Sequence, residues 1–249
     1  MLSFSTALFC FLWGALTVKD KIFPYEIAKI VYLKATGKKS KGDGYELNKF
    51  WADKVKNGGY ILHFRHGQRE KWDDVTAFDA FELYSKIDAS KSSFSKATCL
   101  TAQGIEESRL IGKIFEINGV KVDKVISSPS CRAIQTAQYA FQRVDAIDNS
   151  LLHRTAIMKD QWDDFSSQLR KLFLDNVPSN GKNIVFSGHG GTLKFDGEKI
   201  FEEDNTGGID ERLETGFIVI EIIEGKIYAR HKFNSIATFV NASLKLPVK

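Results

Sequence analysis

Three short strand-like runs, at residues 60–64, 122–126 (broken by Asp123-Lys124) and 184–186, each stop at residues suited to an anion: Arg65-His66-Gly67, Ser127-Ser128-Pro129-Ser130-Cys131-Arg132 and Ser187-Gly188-His189-Gly190-Gly191. Runs this short, β-branched or aromatic with little polar interruption, suit parallel strands covered on both faces. In an open parallel sheet the ligand crevice lies beyond the carboxyl ends of the strands, so residues following three such runs converge although sequence separates them widely. The pattern predicts two arginines and two histidines around one crevice.

Helical periodicity follows two of the runs. Residues 103–117 carry Leu110, Ile111, Ile114, Phe115 and Ile117 on one stripe, with Glu106 and Glu107 in the first turn and Asn118-Gly119 as a stop. Beyond the second motif, Ala133, Ile134, Ala137, Ala140 and Phe141 recur at helical spacing from a start near Pro129-Ser130, which places Arg132 in an opening turn. A helix amino terminus and a guanidinium then face one anion.

These segments, with Leu100-Thr101-Ala102-Gln103-Gly104 opening a helix and with Arg132-Ala133, Thr136-Ala137 and His189-Gly190, resemble the histidine phosphatase superfamily over roughly residues 58–233. The resemblance implies a three-layer α/β/α sandwich with a mostly parallel central sheet, phosphoglycerate-mutase-like, working without metal or organic cofactor. The lead-in Asn57-Gly58-Gly59-Tyr60-Ile61-Leu62 and Cys131 inside the second motif look more like exported bacterial members than glycolytic mutases. Nothing resembles the long insertions that enclose a phosphoglycerate, so hydrolysis is expected rather than mutase chemistry.

The resemblance assigns roles that elementary chemistry supports. His66 would attack phosphorus through one bare ring nitrogen while a hydrogen bond on the other fixes the tautomer, and nearby cations favour the neutral ring. Arg65 and Arg132 offer planar forks to phosphoryl oxygens, and His189, if protonated, adds a donor. Gly67, Gly188, Gly190 and Gly191 would let the backbone approach the anion. A single histidine after a strand is more often structural; it is the ordered set that carries the reading. His63, three residues before His66, points to the opposite face of a regular strand and reads as packing. His153 and His231 have no motif support.

The acid that would protonate a leaving group is less defined. Gly190 stands where acid-phosphatase relatives place an aspartate, and mutase-like relatives use a glutamate on the segment after the second motif's helix. That stretch here holds Asp160, Asp163 and Asp164 around Trp162; Asp160 is the first candidate, ahead of Asp73 and Asp74. Without an acid, phosphohistidine, acyl phosphates or pyrophosphates become better substrates than alkyl esters. Residues 70–97 read as a substrate-facing insertion whose Trp72, Phe78, Phe81 and Tyr84 line a pocket or pack.

Length and composition, 249 residues and 43% hydrophobic, suit one α/β domain with an amino-terminal extension. The reading divides the chain into 1–18, a signal peptide or membrane anchor; 19–57, a basic linker with short helices; and 58–249, the catalytic domain. Residues 2–18 carry no charge, at the short limit for spanning a bilayer. Between Lys19 and Lys56 stand ten lysines against five acids, so the excess belongs to the extension of a chain whose net charge is +4. Export to the periplasm or membrane anchorage is expected; Lys19 and Lys21, just after the apolar run, leave a cytoplasmic body on an uncleaved anchor as the alternative. Gly37-Lys38-Lys39-Ser40 is not a nucleotide loop, because Tyr32 replaces the required glycine.

Cys99 and Cys131 both fall on loops at the carboxyl end of the inferred sheet, and a disulfide between them would suit an oxidising location and brace the loop holding Arg132; two unrelated thiols are the alternative. Glu224-Gly225 between two strand patterns signals a hairpin that adds edge strands, with Glu214 near its start read as structural. The functional expectation is a phosphatase acting on a phosphorylated small molecule or phosphoprotein, with membrane contact through the amino-terminal segment. A membrane-tethered, catalytically inactive phosphate binder is the alternative. Nucleic acid is not expected as a partner, because the lysine-rich stretch lacks interleaved aromatics.

Overall fold

The computed structural model describes residues 44–71, 95–153, 162–190, 192–193, 200–206 and 212–244. Outside them lie the apolar run at 2–18, the basic stretch up to residue 43, Trp72, Asp73, Asp74, Phe78, Phe81, Tyr84, Asp160 and Gly191, together with the side chain of Asp163. Among the described residues no helix is long and apolar enough to cross a membrane.

The elements in chain order are α1 (Tyr45–Asn57), β1 (Ile61–Arg65), α2 (Ser95–Thr98), α3 (Ala102–Ile117), β2 (Val122–Ser127), α4 (Cys131–Phe141), β3 (Ala146–Ile147), a 3-10 turn (Asn149–Leu151), α5 (Trp162–Asp175), β4 (Asn183–Gly188), β5 (Glu203–Asp204), β6 (Phe217–Ile223), β7 (Lys226–Phe233) and α6 (Ile236–Ser243). Among the described residues, seven strands form one sheet in the order β3-β2-β4-β1-β6-β7-β5. Only β6 runs against the rest, pairing antiparallel with β1 and β7.

The three apolar runs become the adjacent central strands β2, β4 and β1. Their register aligns Arg65 with Gly188 and Ser127 with Ser187, so the three anion-seeking segments leave the sheet side by side. The hairpin forms at Glu224-Gly225, but β6 is internal, between β1 and β7, and the two-residue β5 closes that side. β2 also departs from expectation: its first half is not buried, and only Val125, Ile126 and Ser127 are.

Alternation along the strands divides the apolar residues between two cores. Leu62, Phe64, Val125, Val185 and Val219 point to one face, where they meet Ala52 and Val55 of α1, Ile111 and Phe115 of α3, Ala137 of α4 and Phe239 of α6. Ile61, Ile126, Ile184, Phe186 and Ile218 point to the other, against Leu169 and Phe173 of α5. Helices therefore cover both faces, a three-layer sandwich around a mostly parallel sheet. α1, assigned to the extension from sequence, is part of the first core.

α3 starts one residue earlier than its periodicity suggests, because the Thr101 hydroxyl caps it by accepting from the Gly104 amide at 3.1 Å. Glu106 and Glu107 therefore lie beyond the first turn. Two glycines set how closely α3 docks. A Cβ on Gly104 would stand 2.1 Å from the Gln68 carbonyl oxygen, and one on Gly112 would stand 2.0 Å from that of Ala140. Glycine at both positions lets α3 pack backbone to backbone on the loop after His66 and on α4.

His231 lies on β7. Its ring stacks on Trp51 with centroids 6.0 Å apart, and its Nε2 donates to Asn48 Oδ1 at 2.8 Å. Burial pushes its pKa down to about 4. The unfolded chain takes up this proton near pH 6.5 and the fold resists it until about 4, so the stabilisation is complete above 6.5 and fades as pH falls through that window. The contribution is up to about 3 kcal/mol. Thermal melts at pH 7 and pH 4.5 will show a smaller loss of Tm for His231→Phe than for the unmodified chain; equal losses would remove His231 from the explanation.

Candidate active site

The four motif residues converge at the carboxyl ends of β1, β2 and β4. His66 follows β1, is 4% exposed, and its Nδ1 lies 2.7 Å from the Gly67 carbonyl oxygen. A carbonyl only accepts, so Nδ1 carries the hydrogen and Nε2 keeps its lone pair. Burial first, then the Arg132 charge, hold this ring well below the ordinary histidine pKa, with Arg65 and Arg69 acting in the same direction. The backbone around the ring is fixed on every side. The His66 amide donates to the Gly188 carbonyl at 3.0 Å, the Thr215 amide donates to the His66 carbonyl at 3.1 Å, and the Gly67 amide donates to Thr136 Oγ1 at 2.9 Å.

Arg132 lies in the first turn of α4, 1% exposed, the largest fully buried side chain. Its Nη2 donates to His189 Nδ1 and to His153 Nε2, each at 3.2 Å, and its Nη1 reaches the Thr98 carbonyl at 3.5 Å. His189, just past β4, packs its ring 5.3 Å from that of His66. Because Arg132 occupies its Nδ1, the His189 hydrogen sits on Nε2 and points at Ser128 Oγ and Ser130 Oγ, 3.0 and 3.1 Å away. Burial, and after it Arg132, keep the His189 pKa well below normal. The reading from sequence makes His189 a donor only if protonated; here its Nδ1 accepts from Arg132.

Ser130 stands at the N-cap of α4 yet makes no side-chain cap bond, since its hydroxyl is turned to His189. Giving up such a cap costs about 1 kcal/mol, the kind of local exception that accompanies a functional site.

Arg65 is the least direct member of the set. Its Nη1 donates to the Arg212 carbonyl at 2.7 Å, and its charge is felt at His66. Arg212, 3% exposed, had no sequence signal. Its Nη2 donates to His63 Nδ1 at 2.6 Å and to the His189 carbonyl at 2.9 Å. His63 is fully buried, as packing requires, but it also accepts from the arginine that secures the His189 backbone. His153 is the larger omission. Read as lacking motif support, it stands against Arg132 with its ring 4.7 Å from that of His189.

Cys99 and Cys131 are joined in a disulfide with Cα atoms 4.9 Å apart. It ties the start of α4, beside Arg132, to the end of α2, whose Thr98 carbonyl Arg132 contacts. With a sequence separation of 32, the link contributes about 4 kcal/mol through the unfolded chain. Of the acids considered from sequence, Asp164 is exposed on α5. Burial raises the pKa of Glu214, while the Arg65 and Arg69 charges oppose the rise. Among the described residues no group of three His, Cys, Asp or Glu side chains is arranged to hold a metal ion.

Fold and site together define an α/β protein with a buried histidine–arginine pocket at the carboxyl edge of a mostly parallel sheet. No known family description matches the sequence, and no curated protein does. Solved structures similar to the chain include the protein histidine phosphatase SixA complexed with tungstate, at 17% identity over 70% of this chain and 95% of that one, TM-score 0.42. YhfR of Bacillus stearothermophilus is similar at 15% identity over 72% of this chain and 98% of its own, TM-score 0.43. A phosphoserine phosphatase of Entamoeba histolytica in complex with 3-phosphoglyceric acid is similar at 14% identity over 72% and 98%, TM-score 0.42.

Proposed function

We propose that the chain is a phosphatase that hydrolyses a phosphomonoester or phosphoramidate through a phosphohistidine on His66. The observation that carries this reading is the His66 tautomer: Nδ1–H is committed to the Gly67 carbonyl at 2.7 Å, leaving a bare Nε2 on a ring kept neutral by burial and by Arg132. A neutral, oriented imidazole is what nucleophilic attack on phosphorus needs. Arg132 and Arg65 would meet the charge on the phosphoryl oxygens. An arriving oxygen is a stronger acceptor for Arg132 Nη2 than the two imidazole nitrogens that share it. Ser128 and Ser130 hold His189 in place during the exchange.

The substrate on this reading is a phosphorylated small molecule or a phosphoprotein. Location outside the reducing cytosol, exported or membrane-anchored, is supported by the Cys99–Cys131 disulfide and by the uncharged run at 2–18.

The test is covalent trapping. The protein is mixed with a 32P-labelled phosphoramidate and quenched in alkali, where a phosphorus–nitrogen bond survives. Label is expected on His66 alone, lost on acid treatment. Turnover without labelled histidine would reject the mechanism; phosphate retained without turnover would instead identify an inactive binder.

A further inference from the structure

The mechanism above leaves His153 unused, although it shares a donor atom with His189. Arg132 Nη2 lies 3.2 Å from both His153 Nε2 and His189 Nδ1. His66, Arg132 and His189 are 4%, 1% and 2% exposed, whereas His153 is only partly buried. A phosphoryl group on Arg132 and His66 therefore has its deep side closed by buried groups. Among the described histidines around Arg132, His153 is the one that keeps side-chain exposure, which favours its side for the departing group.

We propose that His153 is the acid that protonates the departing oxygen, an inference that rests on the phosphatase reading of His66. A phosphoryl oxygen taking over Arg132 Nη2 releases His153 Nε2 from that donor and brings negative charge beside the ring, so that Nε2 takes up a proton from solvent and the ring becomes an imidazolium. His66 Nε2 then bonds to phosphorus as the phosphorus–oxygen ester bond breaks. The electron pair of that bond goes to the leaving oxygen, which takes the proton from His153 Nε2 and departs as a neutral alcohol. In the second half water attacks the phosphohistidine, the phosphorus–nitrogen bond breaks with its electron pair returning to His66, and the water proton goes back to His153. Hydrogen phosphate leaves, His153 gives its proton back to solvent as Arg132 Nη2 returns to it, and both rings are as they began. One imidazole is thus the nucleophile and another the acid, the assignment that Asp160 held from sequence.

The experiment compares leaving groups. Wild type, His153→Gln and His153→Asn are assayed on glycerol phosphate, whose alkoxide departs poorly, and on 4-nitrophenyl phosphate, whose phenolate departs readily. Glutamine and asparagine can each still accept from Arg132, so a packing role is spared in at least one variant. The ratio of kcat/KM for the alkyl to that for the aryl substrate, which reports steps up to departure of the leaving group and not the shared hydrolysis of phosphohistidine, is expected to fall about 10²-fold or more, within the range general acid catalysis supplies. Equal losses on both substrates would overturn the proposal and leave His153 as a support for Arg132. So would a wild type that hydrolyses only the aryl ester. Absence of label on His66 in the wild type would defeat the phosphatase reading itself, a result separable from either.

Discussion

A His66→Ala variant is expected to lose about 10⁴-fold or more in kcat/KM on an aryl phosphate, since removing a nucleophile takes away the covalent route altogether. The choice of an aryl substrate matters, because its leaving group departs without help and the measurement then reports attack on phosphorus alone. The fold has little reason to respond. The ring makes one hydrogen bond, to its neighbour's carbonyl at 2.7 Å, and the backbone bonds of His66 to Gly188 and Thr215 do not depend on the side chain. An unchanged thermal melt with inorganic phosphate binding retained will separate lost chemistry from lost structure. Added imidazole should restore part of the rate by occupying the emptied position. Retention of even a tenth of the wild-type rate would assign the nucleophile elsewhere.

Arg132→Lys is expected to cost about 10²- to 10³-fold in kcat/KM, the scale of removing a preorganised donor from developing charge. Lysine keeps the positive charge that helps hold His66 and His189 neutral, so the test isolates the geometry of the guanidinium. Arg132 reaches three separate acceptors, the Thr98 carbonyl, His153 and His189, from one fully buried position. An ammonium cannot aim at all three and at phosphate together. A loss below about threefold would mean that charge alone suffices there.

What could be read without coordinates follows from how local each signal is. β1 and β4 declare themselves because strands covered on both faces are largely continuous apolar runs, β2 shows only through its buried second half after Asp123-Lys124, and the parallel register then carries Arg65, Ser127 and Gly188 to one edge. The hairpin at Glu224-Gly225 was equally legible, since turn and alternation sit next to each other in the chain. Its internal position was not, because β5, only two residues long, offers no period to detect. The same limit hid His153. β3 is also two residues long, and without it nothing indicated that the segment following Ile147 returns beside the end of β2. Arg212 escaped for another reason: it enters from the segment before β6 and matters only through tertiary hydrogen bonds to His63 and His189. The sequence shows that Arg132 is near His189 but not which ring nitrogen it takes. Only the distance of 3.2 Å to Nδ1 decides that.

The covalent tie between Cys99 and Cys131 turns maturation of this chain into an electron-transfer event. Two thiols must hand two electrons to an acceptor before the helix bearing Arg132 is anchored. The bracing of that helix therefore depends on an acceptor able to take up those electrons.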